Sequence, residues 1–407
     1  MSVPLLAPEK RGFKAPGTTF MVVGGLLGAF GAYVFQVYGT RNLDPTAFGP
    51  VSVLWTAFFI LATVLLVPIE QYVTREVASG RRALPHDLLP AFTMAGIGGL
   101  IGGVFVLVTL DDLFLGDLQY VAQIVLLMVG YSLLVVGKGV LAGSRRFAGV
   151  GWVMIVETVA RLLAGILLLE LFLDGTSLGW AMVVGGFSVL ALGWWRQDNG
   201  ESIQPATPAR RFLGGYVGGT SASQLLLAGA PLGVAALGGS LDLVSVVFIT
   251  FTLYRAPLTL IFALQGRILP YLVGLSRDAN HAQLVKIARA VVLGGAGLAV
   301  AGGVVGWLVG ADVVGILFGD QYAPASVVAG FAAAGVMAAA STQIASQVLV
   351  AEGRTGRLTW AWLGGLAVGL VVLLVSGGEP DTRVAVSFAC GEVTALGLMG
   401  YLAIRRR

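Results

Sequence analysis

Apolar stretches about 20 residues long recur along this chain, separated by short polar breaks that hold most of the charge. Neither strand alternation nor the one-sided stripe of a soluble helix accounts for stretches that long; helices that cross a bilayer do. The pattern predicts twelve spans, at 17–38, 51–73, 90–110, 119–141, 148–171 and 177–195, then 212–236, 243–266, 287–309, 324–349, 357–376 and 384–404. The first follows Lys10, Arg11 and Lys14, as a secretory leader would, but its length marks it as a retained span.

Composition supports this reading. Hydrophobic residues make up 57% and charged residues 11%, with mean hydropathy +0.89; a soluble domain carries about 25% charge. The basic residues cluster at span ends rather than on a soluble face, which sets nucleic-acid binding aside. With the N-terminus inside, 21 of the 25 Lys and Arg fall on inner connections and span ends; the outer loops hold only Arg41 and Arg383. That asymmetry predicts both termini in the cytoplasm. Two arginines, Arg161 and Arg255, fall inside spans.

The connection from Trp195 to Arg211, with Pro205 and Pro208, is the one linker-like stretch. It divides the chain into a six-helix lobe at 1–195, a cytoplasmic linker at 196–211 and a second lobe at 212–407. The halves echo each other in order: 51–53 with 244–246, 113–120 with 317–322, and 141–145 with 350–354. Repeats of six helices are parallel, related by an axis along the membrane normal. Glycine pairs at 98/102, 214/218, 302/306 and 365/369 predict close helix packing, or faces smooth enough to slide.

A charge at the bilayer centre costs about 2.5–3.5 kcal/mol or more, so the buried charges are the candidate site. Arg161 either reaches a ligand or pairs with Glu157, one turn before it. Arg255, followed by Pro257, either reaches a ligand or bonds carbonyls freed at a kink. Arg41 at the outer mouth and Arg75 at the inner end of the second span are entrance charges or ordinary interfacial residues; Lys138 can snorkel. Glu157, Glu392 and Glu70 are candidates for ion coupling, Glu392 foremost because the sequence offers it no partner. Gln36, Gln224, Gln265, Gln343 and Gln347 can line a cavity or bond between helices. His86 and His281 lie far apart, so no metal site is expected; the glycine stretches lack the lysine of a phosphate loop, and neither a cofactor nor an enzyme activity is expected.

Several stretches resemble the polysaccharide exporter (Wzx-like flippase) branch of the multidrug/oligosaccharidyl-lipid/polysaccharide transporter superfamily. They are Arg41, Leu43, Pro45, Phe48 and Gly49; Leu141 to Phe147, with Arg161 beyond; Leu317 to Ala325; and Ala351 to Arg354. The resemblance implies an all-α fold of two six-helix lobes around a central cavity, in the cytoplasmic (inner) membrane. It implies alternating access, with a polyprenyl-diphosphate-linked oligosaccharide as substrate and envelope-polysaccharide assembly proteins as partners. Arg161 and Arg255 would then hold the headgroup from opposite lobes, guanidinium being suited to phosphate oxygens. The alternatives are a small-molecule or drug antiporter of the same fold and a non-transporting scaffold. The drug-exporting branch relies on acids in the first span or the second lobe; here the first and the seventh to eleventh spans have none.

Overall fold

The computed structural model describes residues 17–78, 85–192, 221–277 and 281–405. Within them the chain forms twelve helical segments. The first six are α1 (Thr18–Asn42), α2 (Pro45–Leu61, continued as Val67–Ala78), α3 (Pro85–Val108), α4 (Gln119–Gly143), α5 (Phe147–Phe172) and α6 (Gly175–Phe187). The second six are α7 (221–228 and Ala230–Ala236), α8 (Leu241–Tyr254 and Ala256–Arg277), α9 (His281–Phe318), α10 (Ser326–Ala351), α11 (Thr355–Val375) and α12 (Pro380–Ile404). Ten of these are long and apolar enough to cross a membrane; α6 and α7 are shorter.

Local sequence sets the ends. Asp44 caps α2 by accepting from Ala47 N at 2.9 Å, with Pro45 next to it at the first helical position, where a missing N–H costs nothing. Asp174 caps α6 in the same way through Ser177 N, and Ser240 caps α8 through Leu243 N. Three irregularities have covalent causes. Pro68 follows a π-helical turn at Ala62–Leu66 in α2, Pro231 follows the break at Gly229 in α7, and Pro257 follows the break at Arg255 in α8; proline cannot donate to the carbonyl four residues back.

Spans of the second half depart from their expected bounds. The seventh span, placed at 212–236 by hydropathy, is broken at Gly229 in its described part, and 212–220 lie outside the described residues. The eighth, expected at 243–266, continues to Arg277 after its break. The 196–211 linker also lies outside the described residues.

Packing joins α1 to α5, α4 to α2, α3 and α6, α9 to α10, and α12 to α10 and α11; α2 meets α8 between these groups. The glycine pairs sit in such contacts. A Cβ at Gly102 would meet Ile124 of α4, at Gly306 Ala333 of α10, and at Gly365 the Gly391 carbonyl of α12. Gly214 and Gly218 lie outside the described residues.

The echo between halves extends to backbone geometry. After α4, Arg146 N donates to Leu141 O at 2.8 Å and Arg145 takes φ 57°. After α10, Arg354 N donates to Leu349 O at 2.8 Å and Gly353 takes φ 69°. Both are the same left-handed helix stop. The α2–α8 contact is self-complementary: Ser245 Oγ donates to Pro45 O at 2.6 Å, and Gly49 packs on Leu241. Pro45 and Leu241 each open their helix, and Gly49 and Ser245 each lie four residues further on, a pairing three residues out of the register of the 51–53 and 244–246 echo.

Candidate functional site

A cavity of about 390 Å³ lies among α1, α2, α4, α5 and α6, with Thr252 of α8 at its edge. Midway along α5 its wall carries an ion pair: Arg161 Nη1 lies 3.0 Å from Glu157 Oε1. Helical spacing of four residues stacks the two side chains. From α4, Tyr131 Oη donates to the same carboxylate at 2.7 Å. The guanidinium carbon sits 5.7 Å from the Phe35 ring and 5.5 Å from the Trp55 ring, whose negative faces favour a cation. Gly185 of α6 lets that helix close over the pair, because a Cβ there would press on Arg161 Cβ at 3.0 Å.

The pairing is incomplete. Arg161 is 7% exposed, yet its Nε has no hydrogen-bond partner among the described residues; nor has Oε1 of Gln36, which lines the cavity at 2% exposure. A buried polar group left bare costs about 1–3 kcal/mol, so both residues keep unmet bonding capacity beside the cavity. Lys138 also lines the cavity, and its Nζ sits 2.8 Å from Glu70 Oε2. That pair gives Lys138 a partner the sequence did not show.

Arg255 stands elsewhere. It occupies the break in α8, 5.7 Å from the Phe251 ring, with Nε and Nη2 buried and unbonded. It interacts electrostatically with Tyr33 and with Glu392 of α12. Glu392 is fully buried, and neither carboxylate oxygen has a hydrogen bond among the described residues. The charged neighbour that the sequence withheld from Glu392 is thus Arg255. The cavity takes in Arg161 and Glu157 but neither Arg255 nor Glu392. Tyr33, which interacts with Arg255, lines the cavity and donates to Thr252 O at 2.9 Å.

The other candidates disperse. Arg41 donates to the carbonyls of Ile316 and Leu317 at the carboxyl end of α9, where the helix dipole favours a cation. Arg75 is exposed in the last turn of α2. Gln224 has an unbonded buried Oε1 away from the cavity, Gln343 is half-buried away from it, and the side chain of Gln265 lies outside the described residues.

At the end that the Lys/Arg count assigns to the outside, the two groups of helices are tied together. Thr46 Oγ1 donates to Asp242 Oδ1 at 2.5 Å, and Tyr322 Oη donates to Leu43 O at 3.0 Å. Burial, reinforced by Asp44 and Asp242, pushes the Tyr322 phenol well above its usual range and keeps it a donor. The Phe48 ring meets Phe248 at a tilt and Tyr322 edge-on, with centroids 6.2 and 6.0 Å apart. The cavity is shut on that side.

No family model matches the chain. It is 27% identical over 391 residues to uncharacterized proteins of Mycobacterium tuberculosis and Mycobacterium bovis, covering 90% of this chain and 87% of theirs. Among solved structures it resembles the inward-facing conformation of a multidrug resistance MATE family transporter of the MOP superfamily, with TM-score 0.66, 13% identity, and 95% and 97% of the two chains covered. The outward-facing conformation of such a transporter gives 0.59 at 14% identity, with 95% and 94% covered. A Vibrio cholerae MATE transporter mutant gives 0.61 at 15%, with 96% of each covered. The chain therefore has the all-α, multi-pass membrane fold of the MATE transporters.

Proposed function

We propose that the protein is an alternating-access transporter of the cytoplasmic membrane. It moves the anionic headgroup of a polyprenyl-diphosphate-linked oligosaccharide outward for surface-polysaccharide synthesis. The observation that carries this reading is the bilayer-depth cavity, shut at its outer end, with the incompletely bonded Arg161 in its wall. In a low-dielectric cavity a guanidinium attracts diphosphate oxygens far more strongly than in water. Helices 1–6 and 7–12 act as two lobes that rock about the α2–α8 contact. The substrate drives the change because its charged headgroup binds the two states with different affinity. Arg255, outside the cavity in this state, joins the headgroup once α8 moves at its break, and Glu392 beside it is the coupling acid.

The names of the solved neighbours favour a second reading, a drug antiporter. A cationic drug needs a free carboxylate in the cavity; the cavity's own Glu157 is held by Arg161, and Glu392, which has no hydrogen bond among the described residues, lies off the cavity.

The test is transbilayer movement of a polyprenyl-diphosphate-linked sugar in proteoliposomes, for the wild type, Arg161→Ala and Arg255→Ala. Movement in the wild type that falls at least about tenfold, the loss of one charged hydrogen bond, in both folded variants supports the reading and both arginines. Movement unaffected by both keeps the transporter and removes the arginines from it. No movement of any such lipid turns the assignment to the antiporter or to a scaffold.

A further inference from the structure

Resting on the translocator reading, we propose that the cavity selects a headgroup with two anionic centres: the diphosphate and a carboxylate on an acidic sugar of the glycan. The second centre is held by Lys138.

The cavity wall offers two cations, each from this half of the chain and each with its own counter-ion. Arg161 lies at the level of Tyr131, because both bond or pair with Oε1 of Glu157. Lys138 lies on the same helix as Tyr131, seven residues on. Seven residues are two helical turns, so both side chains face the cavity about 10 Å apart along α4.

Both cations have capacity to spare. An ammonium has three donors, and Glu70 accepts one of them. Lys138 lines the cavity and Glu70 does not, so the pair leaves two ammonium donors on a cavity-lining side chain. Arg161 keeps its unbonded Nε.

The order of the two anions follows from the bilayer. The diphosphate is the group whose crossing of the midplane costs most, so the deeper cation, Arg161, serves it. The outer end is shut, which leaves the glycan one direction to extend, along α4 toward its inner end and Lys138. A carboxylate a disaccharide's length from the diphosphate then meets the ammonium.

The experiment uses the full-length protein in proteoliposomes with two probes. Both are polyprenyl-diphosphate-linked disaccharides, the second sugar being glucose in one and glucuronic acid in the other. The acidic form is expected to move at least about tenfold faster, the worth of one charged hydrogen bond. Lys138→Met combined with Glu70→Gln, which leaves no charge unpaired, is expected to bring that ratio to about one. Lys138→Arg is expected to keep it, so an unfolded double variant would not rescue the idea. A wild-type ratio near one, or a ratio that Lys138→Met with Glu70→Gln leaves intact, overturns the proposal while the transporter stands. If neither lipid moves in the wild type, the transporter reading falls and takes this inference with it.

Discussion

Arg161 and Glu157 are worth more to each other than to the fold. Removing one partner of a buried pair leaves a bare charge and costs about 3–5 kcal/mol, whereas removing both is close to neutral. Arg161→Met is therefore expected to lower the melting temperature in detergent, and adding Glu157→Gln to restore most of it. Lipid movement should stay lost in both. Recovery of stability without recovery of transport separates the pair's structural part from its ligand part. This pair was legible in the sequence because four residues on a helix share a face. The Tyr131 contact, 26 residues away, and the Lys138–Glu70 pair, 68 residues away, were not. Their partners are chosen by how α4 packs on α5 and α2, and nothing local encodes that.

The break in α8 has a single covalent cause. Pro257 withholds an N–H from the Leu253 carbonyl, and the helix stops at Arg255. Pro257→Ala is expected to join the two pieces and to raise the melting temperature, by up to about 3 kcal/mol of helix stability. It should also slow lipid movement if α8 bends there during the cycle; faster movement would mean the break is only a packing defect. Pro257 made this kink readable in the sequence. Helix ends were harder to read. The ninth span was expected at 287–309, yet α9 runs from His281 to Phe318, 38 residues. Hydropathy detects the part that meets lipid, whereas backbone bonding carries the helix on through His281, Lys286 and Asp312.

For the whole molecule, the outer tie between α2 and α8 should act as a lock. Thr46→Cys with Asp242→Cys, in a Cys390→Ala background, places two thiols where a 2.5 Å hydrogen bond now stands. Oxidation is expected to abolish lipid movement, and a reductant to restore it. Movement that continues through the disulfide would show that the two halves need not part at that end. The twelve-helix plan behind this lock was visible in the charge alternation, because an odd miscount of spans would have scrambled it downstream. Which helices meet across the middle was not visible, since α2 and α8 are as apolar as their neighbours.

The seam where Ser245 reaches Pro45 and Gly49 receives Leu241 has one more consequence. Each side presents to the other a version of its own surface, as the two subunits of a symmetric dimer do. A joint of that kind is direction-blind: it does not register which half is synthesised first, and a chain with its halves in the opposite order would present the same mating surfaces. It also makes changes there come in twins, so a bulkier residue at 49 calls for relief at 241, and one at 245 for relief at 45.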